Sequence, residues 1–177
     1  MKNLNSSGVP YFIFLLTFSL SAVASDIAVS LQGVANLQHP TSTRYTAGQP
    51  EPEAFAAFAK AGVAHVINLR PPQETPGLNE AALVTQAGMA YYNIPVDGAA
   101  DLTAEKVRRL DALLEKIGQE KVLIHCSSGN RVGAMMALRA AWLQQAPVEK
   151  ALEEGRNYGL TRMLPEVKDL LTQQPGM

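Results

Sequence analysis

Apolar residues along this chain fall into two kinds of pattern. Short β-branched or aromatic runs at 63–69, 91–94 and 122–124 have the length and composition of buried strands. Between them, apolar residues recur three or four positions apart, the spacing of amphipathic helices. Strand and helix patterns therefore alternate. We expect an α/β fold of three layers, with a mostly parallel central sheet flanked by helices.

Capping and turn residues set the ends of these helices. Asn79 and Thr103 precede two helical patterns as N-caps, and Gly88 and Gly118 follow them as stops. Four other helices are predicted. One is opened by Pro52 and ended by Gly62, and one, at 132–143, is apolar all round. The last two begin at Pro147 and near Pro165. Weaker patterns predict strands at 27–31 and 34–37 and extended chain at 45–50.

The N-terminal segment has the features of a secretory signal peptide. Lys2 precedes a largely apolar stretch at 9–20, and Ala22-Val23-Ala24 fits a small-x-small cleavage site before Ser25. A membrane anchor is the alternative, but the stretch is shorter than the roughly 20 residues that span a bilayer. We expect a signal peptide over 1–24, a single domain over 25–177, and a periplasmic or secreted protein that does not stay at the membrane after cleavage.

Composition excludes several other classes of protein. The formal net charge is −1, with 15 basic residues scattered along the chain, so nothing favours nucleic-acid binding. The chain has one cysteine, Cys126, which rules out internal disulfides. No segment predicts an oligomeric state.

That single cysteine lies in the most informative segment of the chain. Cys126 follows the run at 122–124 and precedes a small polar loop with one glycine, and Arg131 opens the apolar helix five residues later. Backbone amides of the loop, the positive end of the helix and the guanidinium would all stabilise a thiolate or a phosphate. We therefore predict that Cys126 is a nucleophile and Arg131 an oxyanion ligand. The predicted substrate-binding residues of the loop are Ser127, Ser128, Gly129 and Asn130.

A phosphoryl transfer also needs an acid for the leaving group. Asp97 and Asp101 lie in a loop expected at the same edge of the sheet. A position near the helix N-terminus explains Asp101 without catalysis, so we favour Asp97. His125 is interpreted as a supporting residue whose ring holds the loop by a hydrogen bond. Arg70 is interpreted as a solvated surface residue.

The segment His125-Cys126-x5-Arg131 resembles the signature of the cysteine-dependent protein tyrosine and dual-specificity phosphatases. Further stretches are similar to a bacterial branch of that superfamily, the beta-lactamase-hydrolase-like phosphatase domain. These stretches are Gly48-Gln49-Pro50, 66–70 with Glu74, and 94–97. The resemblance runs from about Val34 to the last helix.

The resemblance implies a dual-specificity-phosphatase-like fold and hydrolysis of phosphate monoesters, on a phosphorylated protein or a small phosphate ester. It implies a phosphocysteine intermediate on Cys126, phosphate binding by Arg131, an upstream Asp as acid, and no metal or cofactor. In one respect the chain departs from the pattern. Many members of the family carry Ser or Thr after the Arg, where its hydroxyl helps the thiolate leave, and Val132 stands there instead.

Two other functions remain open at this point. A rhodanese-like sulfurtransferase also uses a cysteine in an anion-binding loop, but persulfide chemistry needs no acid such as Asp97. A non-catalytic phosphate-binding module would account for Val132.

Overall fold

The computed structural model describes Leu31 and residues 33–173. The predicted signal peptide and all but the last residue of the strand candidate at 27–31 lie outside these residues. Among the described residues, no helix is both long enough and apolar enough to cross a membrane.

In the part of the chain that the structure describes, five strands form one central sheet. The strands are β1 (Gln38–Thr41), β2 (Arg44–Ala47), β3 (Val63–Asn68), β4 (Ala90–Asn93) and β5 (Lys121–His125). Their order across the sheet is β1-β2-β5-β3-β4, and β5 pairs in parallel with both β2 and β3. Strand β1 is antiparallel to β2, and β4 is parallel to β3. The expected mostly parallel sheet is confirmed.

Within residues 33–173, six α-helices connect or follow the strands. They are α1 (Ala54–Lys60), α2 (Glu80–Gln86), α3 (Ala104–Ile117), α4 (Asn130–Trp142), α5 (Val148–Asn157) and α6 (Leu164–Gln173). The side chains of Asn79 and Thr103 accept hydrogen bonds from backbone amides in the first turns of α2 and α3, as their sequence positions predict. Gly118, with a positive φ of 62°, ends α3.

The two faces of the sheet carry separate apolar cores. Successive side chains of a strand point to opposite faces, so Val66 packs with α1 and α2 whereas Ile67 packs with α3 and α4. Helix α4 lies in the larger core, and 11 of its 13 residues are buried. The predicted three layers and the central position of this apolar helix are both confirmed.

Two sequence-based assignments are wrong in detail. Residues 34–37 form turns rather than a strand, because Asn36 adopts a positive φ of 52° and the Leu37 amide bonds back to the Val34 carbonyl. The strand β1 begins only at Gln38 and has no apolar alternation to reveal it. Helix α1 begins at Ala54, two residues after Pro52, following a turn in which the Ala54 amide bonds to the Glu51 carbonyl.

The topology determines where functional side chains meet. Strands β2, β5, β3 and β4 run in the same direction, so the segments after their carboxyl ends lie at one edge of the sheet. Those segments begin at Gly48, Cys126, Leu69 and Ile94. The loop after the central strand β5 therefore has neighbours on both sides.

Candidate active site

The loop between β5 and α4 forms a tight turn around Cys126. Strand β5 ends at His125, and Gly129 adopts a left-handed conformation with φ of 80° directly before α4. Glycine is suited to that conformation because it has no Cβ. The Cys126 side chain is buried, whereas the next residue, Ser127, is exposed. The cysteine thus lies at the base of the loop, below its exposed turn.

Three carbonyl groups of this loop are held by neighbouring groups. The Gln49 amide donates to the Ser127 carbonyl (3.3 Å). The Asn36 side-chain amide donates to the Ser128 carbonyl (3.1 Å). The Gly133 amide donates to the Gly129 carbonyl (3.1 Å).

The bonds at the Ser127 and Gly129 carbonyls fix the direction of the two amides that follow them. In a trans peptide the carbonyl and the following N–H point in opposite directions. The amides of Ser128 and Asn130 therefore point to the inner side of the loop, and neither has an acceptor within the part of the chain that the structure describes. The Gly129 amide is instead engaged by the antiparallel bridge between Gly48 and Ser128. Together with the N-terminus of α4, the two inward-facing amides form a concave set of donors suited to an anion.

Gly48 allows β2 to approach this loop closely. A Cβ on Gly48 would lie 2.9 Å from the Ser127 carbonyl oxygen and 3.1 Å from that of Ala35. Contacts this short are incompatible with any side chain unless the backbone shifts. The Gly48-Gln49 pair noted in the sequence thus supports the anion-binding loop from outside.

The Arg131 guanidinium is anchored through both terminal nitrogens. Nη1 donates to Glu74 Oε1 (2.7 Å) and to the Val96 carbonyl (2.8 Å). Nη2 donates to Glu74 Oε2 (2.7 Å) and to Ser127 Oγ (2.9 Å). Burial alone would lower the pKa of Arg131, but the bonds with Glu74 and the nearby Cys126 sulfur raise it. The guanidinium is therefore a fixed cation beside the cysteine.

Sequence reasoning missed the group that anchors Arg131. Arg70 donates from Nε to Glu74 Oε2 (3.0 Å) and from Nη2 to the Glu74 carbonyl (2.7 Å). Its side chain is only 11% exposed, so the interpretation of Arg70 as a solvated surface residue is wrong. Hydrogen bonds from Arg131, opposed by partial burial and aided by Arg70, lower the pKa of Glu74. The four-residue spacing of Arg70 and Glu74 was the available signal.

The two candidate acids occupy different environments. The Asp101 carboxylate accepts the Asp97 amide (2.8 Å) and pairs with Lys106. The hydrogen bond from Lys106, followed by that from the Asp97 amide, lowers the pKa of Asp101. Asp97 is exposed, and its side chain makes no hydrogen bond to a described residue. It follows Val96, whose carbonyl is bonded to Arg131, so its backbone lies beside the Cys126 loop.

The other residues predicted for the site are His125, Asn130 and Ser128, and the first two have side chains engaged by neighbouring elements. His125 is fully buried, and its Nε2 lies 2.8 Å from Glu80 Oε1 on α2. The Asn130 side chain accepts hydrogen bonds from the amides of Thr161 (2.8 Å) and Met163 (3.3 Å), so its oxygen is used by the turn before α6. Asn130 therefore offers the anion site its backbone amide, while its side-chain oxygen is already engaged. The Ser128 side chain has no recorded bond within the described range.

Fold and site together are those of a phosphatase-like domain. The chain belongs to the family of the phosphatase-like domain of beta-lactamase hydrolase-like proteins, whose model matches residues 37–143. It is 33% identical over 135 residues to the beta-lactamase hydrolase-like protein of Xylella fastidiosa strain Temecula1, covering 72% of this chain and 31% of that protein. The chain thus spans about a third of the length of this relative.

Solved structures share the same fold. A putative phosphatase from Shewanella putrefaciens CN-32 superposes with a TM-score of 0.65 at 28% identity, covering 84% of this chain and 99% of that one. The TpbA protein of P. aeruginosa, in a variant solved in complex with pTyr, has a TM-score of 0.54 at 20% identity, covering 76% of this chain and 81% of that one. The kinase associated phosphatase has a TM-score of 0.55 at 18% identity and covers 74% and 88% of the two chains. The last two similarities concern the fold alone.

Within the described residues, no group of three His, Cys, Asp or Glu side chains is arranged to hold a metal ion.

Proposed function

We propose that the protein hydrolyses phosphate monoesters through a phosphocysteine intermediate on Cys126. The observation that carries this proposal is the pair of inward-facing amides at Ser128 and Asn130, which lies between a buried cysteine and the fixed guanidinium of Arg131. A phosphoryl group seated there would have its oxygens bound by backbone donors and Arg131, with its phosphorus facing the sulfur.

In the first step, the Cys126 thiolate attacks phosphorus and forms a P–S bond. The bond from phosphorus to the ester oxygen breaks, and the leaving oxygen takes a proton from the Asp97 carboxylic acid. Asp101 is poorly suited to this role because its lowered pKa and its pair with Lys106 keep it ionised.

In the second step, water attacks phosphorus and gives a proton to the Asp97 carboxylate. The P–S bond breaks, inorganic phosphate leaves and the thiolate returns. Val132 is fully buried and places no hydroxyl group after Arg131, so we expect breakdown of the phosphoenzyme to limit turnover.

The substrate class follows from the same chemistry. The site binds a phosphoryl dianion, and we propose a phosphorylated protein or a small phosphate ester as substrate, with tyrosine or serine/threonine phosphate as the protein groups. The pTyr bound in the TpbA structure makes an aryl phosphate the first probe to use.

The decisive experiment compares two assays on the purified protein. We expect hydrolysis of an aryl phosphate, no sulfur transfer from thiosulfate, and no turnover of either by the Cys126→Ser variant. That variant should still bind tungstate, since the loop amides and Arg131 are unchanged. Normal hydrolysis by Cys126→Ser would refute the covalent mechanism, and turnover of thiosulfate alone would favour a sulfurtransferase.

A non-catalytic phosphate-binding module is the second candidate, and the buried Val132 is the observation that favours it. Rapid-quench measurement separates the two. A burst of phenol followed by slow turnover indicates a phosphoenzyme that breaks down slowly, whereas tungstate binding without any burst indicates a module that only binds.

We further propose that residues 1–24 are removed on export and that 25–177 form one periplasmic or secreted domain. N-terminal sequencing of the protein recovered from the cell envelope should begin near Ser25. An intact apolar segment at 9–20 in a membrane fraction would indicate an anchor instead.

A further inference from the structure

A buried carboxylate on α2 has no part in the proposed chemistry. Glu80 is only 4% exposed, although it is the first residue of a surface helix. Removing a carboxylate from water is costly unless hydrogen bonds and opposite charges compensate. The partners of Glu80 therefore indicate what the buried charge is for.

Both oxygens of Glu80 are used by segments that support the Cys126 loop. Oε1 lies 2.8 Å from His125 Nε2, on the residue directly before the cysteine. Oε2 accepts from Gln49 Nε2 (2.7 Å), and the Gln49 backbone amide bonds the loop at Ser127. Burial alone would raise the pKa of Glu80, but the bonds from His125 and Gln49 lower it, so the carboxylate stays ionised.

An ionised carboxylate only accepts, and this sets the direction of every bond that follows. The Gln49 amide nitrogen faces Glu80, so its oxygen faces outward and accepts from Arg70 Nη1 (2.5 Å). Arg70 in turn donates to Glu74, and Glu74 accepts from both terminal nitrogens of Arg131. The neutral Gln49 separates Glu80 from Arg70, and the charges of Arg70, Glu74 and Arg131 alternate, so each of these donors meets an acceptor.

The chain of side chains joins the two ends of the anion-binding loop. One end is His125, directly before Cys126, and the other is Arg131 at the start of α4. We propose that Glu80 is a positioning residue that holds His125 directly and Arg131 through Gln49, Arg70 and Glu74. This inference rests on the proposed function for its role in catalysis, but the mechanical coupling can be measured without any substrate.

The test compares Glu80→Gln with Glu105→Gln. Both glutamates lie in the first turn of a helix, so the effect of the helix dipole is matched, but Glu105 is exposed and has no recorded partner. In Glu80→Gln an amide nitrogen must face either Gln49 Nε2 or His125 Nε2, so the charge and one of the two bonds that the carboxylate accepts are lost. Either outcome weakens the chain of bonds, at the link to Gln49 or at His125.

Two measurements report on the distant end of this chain. Calorimetric titration with tungstate should show about tenfold weaker binding for Glu80→Gln, equivalent to about 1.4 kcal/mol. Nuclear magnetic resonance should show about tenfold faster hydrogen exchange of the Arg131 Nη protons, with the fold intact by circular dichroism. Glu105→Gln should match the wild type within about twofold in both measurements.

A second, less disruptive variant tests the same proposal if Glu80→Gln does not fold. Gln49→Met has a similar shape and removes the side-chain link between Glu80 and Arg70. It also removes a bond to the Pro50 carbonyl, but keeps the backbone bond to Ser127. It should also accelerate exchange at Arg131, by about threefold.

A folded Glu80→Gln protein with wild-type exchange at Arg131 and wild-type tungstate affinity would overturn the proposal, even if its melting temperature fell. If the wild type itself bound no tungstate and hydrolysed no phosphate, the proposed function would fail. The exchange measurement would still decide the role of Glu80.

Discussion

The loop after β5 and the loop after β4 lie at the same edge of the sheet, yet they are held in different ways. The first is bonded on its outer side by the 34–37 turn, by Gln49 and by α4 itself, and its arginine is held by four hydrogen bonds. The second is exposed at Asp97, and its most prominent polar contacts are those of Asp101 with Lys106 and with the Asp97 amide.

This difference matches the two tasks proposed for the loops. An anion site gains from donors that are fixed before the anion arrives, because no energy is then spent on aligning them. A general acid must instead reach the leaving oxygens of different substrates, and an exposed side chain with no fixed partner suits that task. Substitutions in the two loops should therefore have different kinetic signatures.

The largest effect should come from the acid. Asp97→Asn should slow hydrolysis of tyrosyl or alkyl phosphates by about 100-fold, because their leaving oxygens need a proton. It should barely affect a phosphate ester of a very acidic phenol, and the alkaline limb of the pH–rate profile should disappear. If Asp101→Asn shows this leaving-group dependence and Asp97→Asn does not, the assignment of the acid is reversed.

The anion loop should show a different signature. Arg131→Lys should reduce kcat/KM by at least about tenfold, or roughly 1.4 kcal/mol of transition-state binding, since a point charge cannot replace a planar fork. The loss should be the same for good and poor leaving groups, in contrast with Asp97→Asn. Steady-state kinetics on two esters checks this, and near-wild-type rates would mean that the guanidinium does not bind the phosphoryl group.

A smaller effect is expected at the outer support of the loop. Asn36→Gly keeps the positive φ accessible and removes only the amide that holds the Ser128 carbonyl. Tungstate affinity should fall about three- to tenfold, since one hydrogen bond contributes about 0.5–1.5 kcal/mol.

Gln145→Gly is the matched control for Asn36→Gly. Gln145 is the other residue besides glycine with a positive φ in the described part of the chain, and it is exposed in the turn before α5. Unchanged affinity in Asn36→Gly would show that the anion site does not depend on this contact.

The smallest effect should come from Asp101→Asn, which removes the ion pair with Lys106. Since the pKa of Asp101 is lowered in the folded protein, its contribution to stability is present above its ordinary pKa and is lost as the pH falls through the folded value. The pair is partly exposed, so the loss near neutral pH should be well under 1 kcal/mol. Urea unfolding at neutral and acid pH measures this loss of stability. A difference from the wild type that persisted at a pH below both the ordinary and the folded pKa of Asp101 would contradict this role.

The sequence by itself determined the architecture and the reactive segment. Asn79, Thr103 and Gly118 act on their own helix ends, so local patterns were enough to locate α2 and α3. The strand-cysteine-helix order around Cys126 is also local. A parallel sheet then brings the segments that contain Arg70, Asp97 and Cys126 to one edge without further information.

Only the tertiary structure decided which side chains meet there. The partners of His125, Arg131 and the Ser128 carbonyl lie 45, 57 and 92 positions away in the chain. No periodicity or cap connects positions so far apart, because those patterns report on neighbours within one helix or strand. The buried Glu80 reads in sequence as an ordinary first-turn glutamate, and only the packing of α2 beside β4 removes it from water and brings it to His125 at the end of β5.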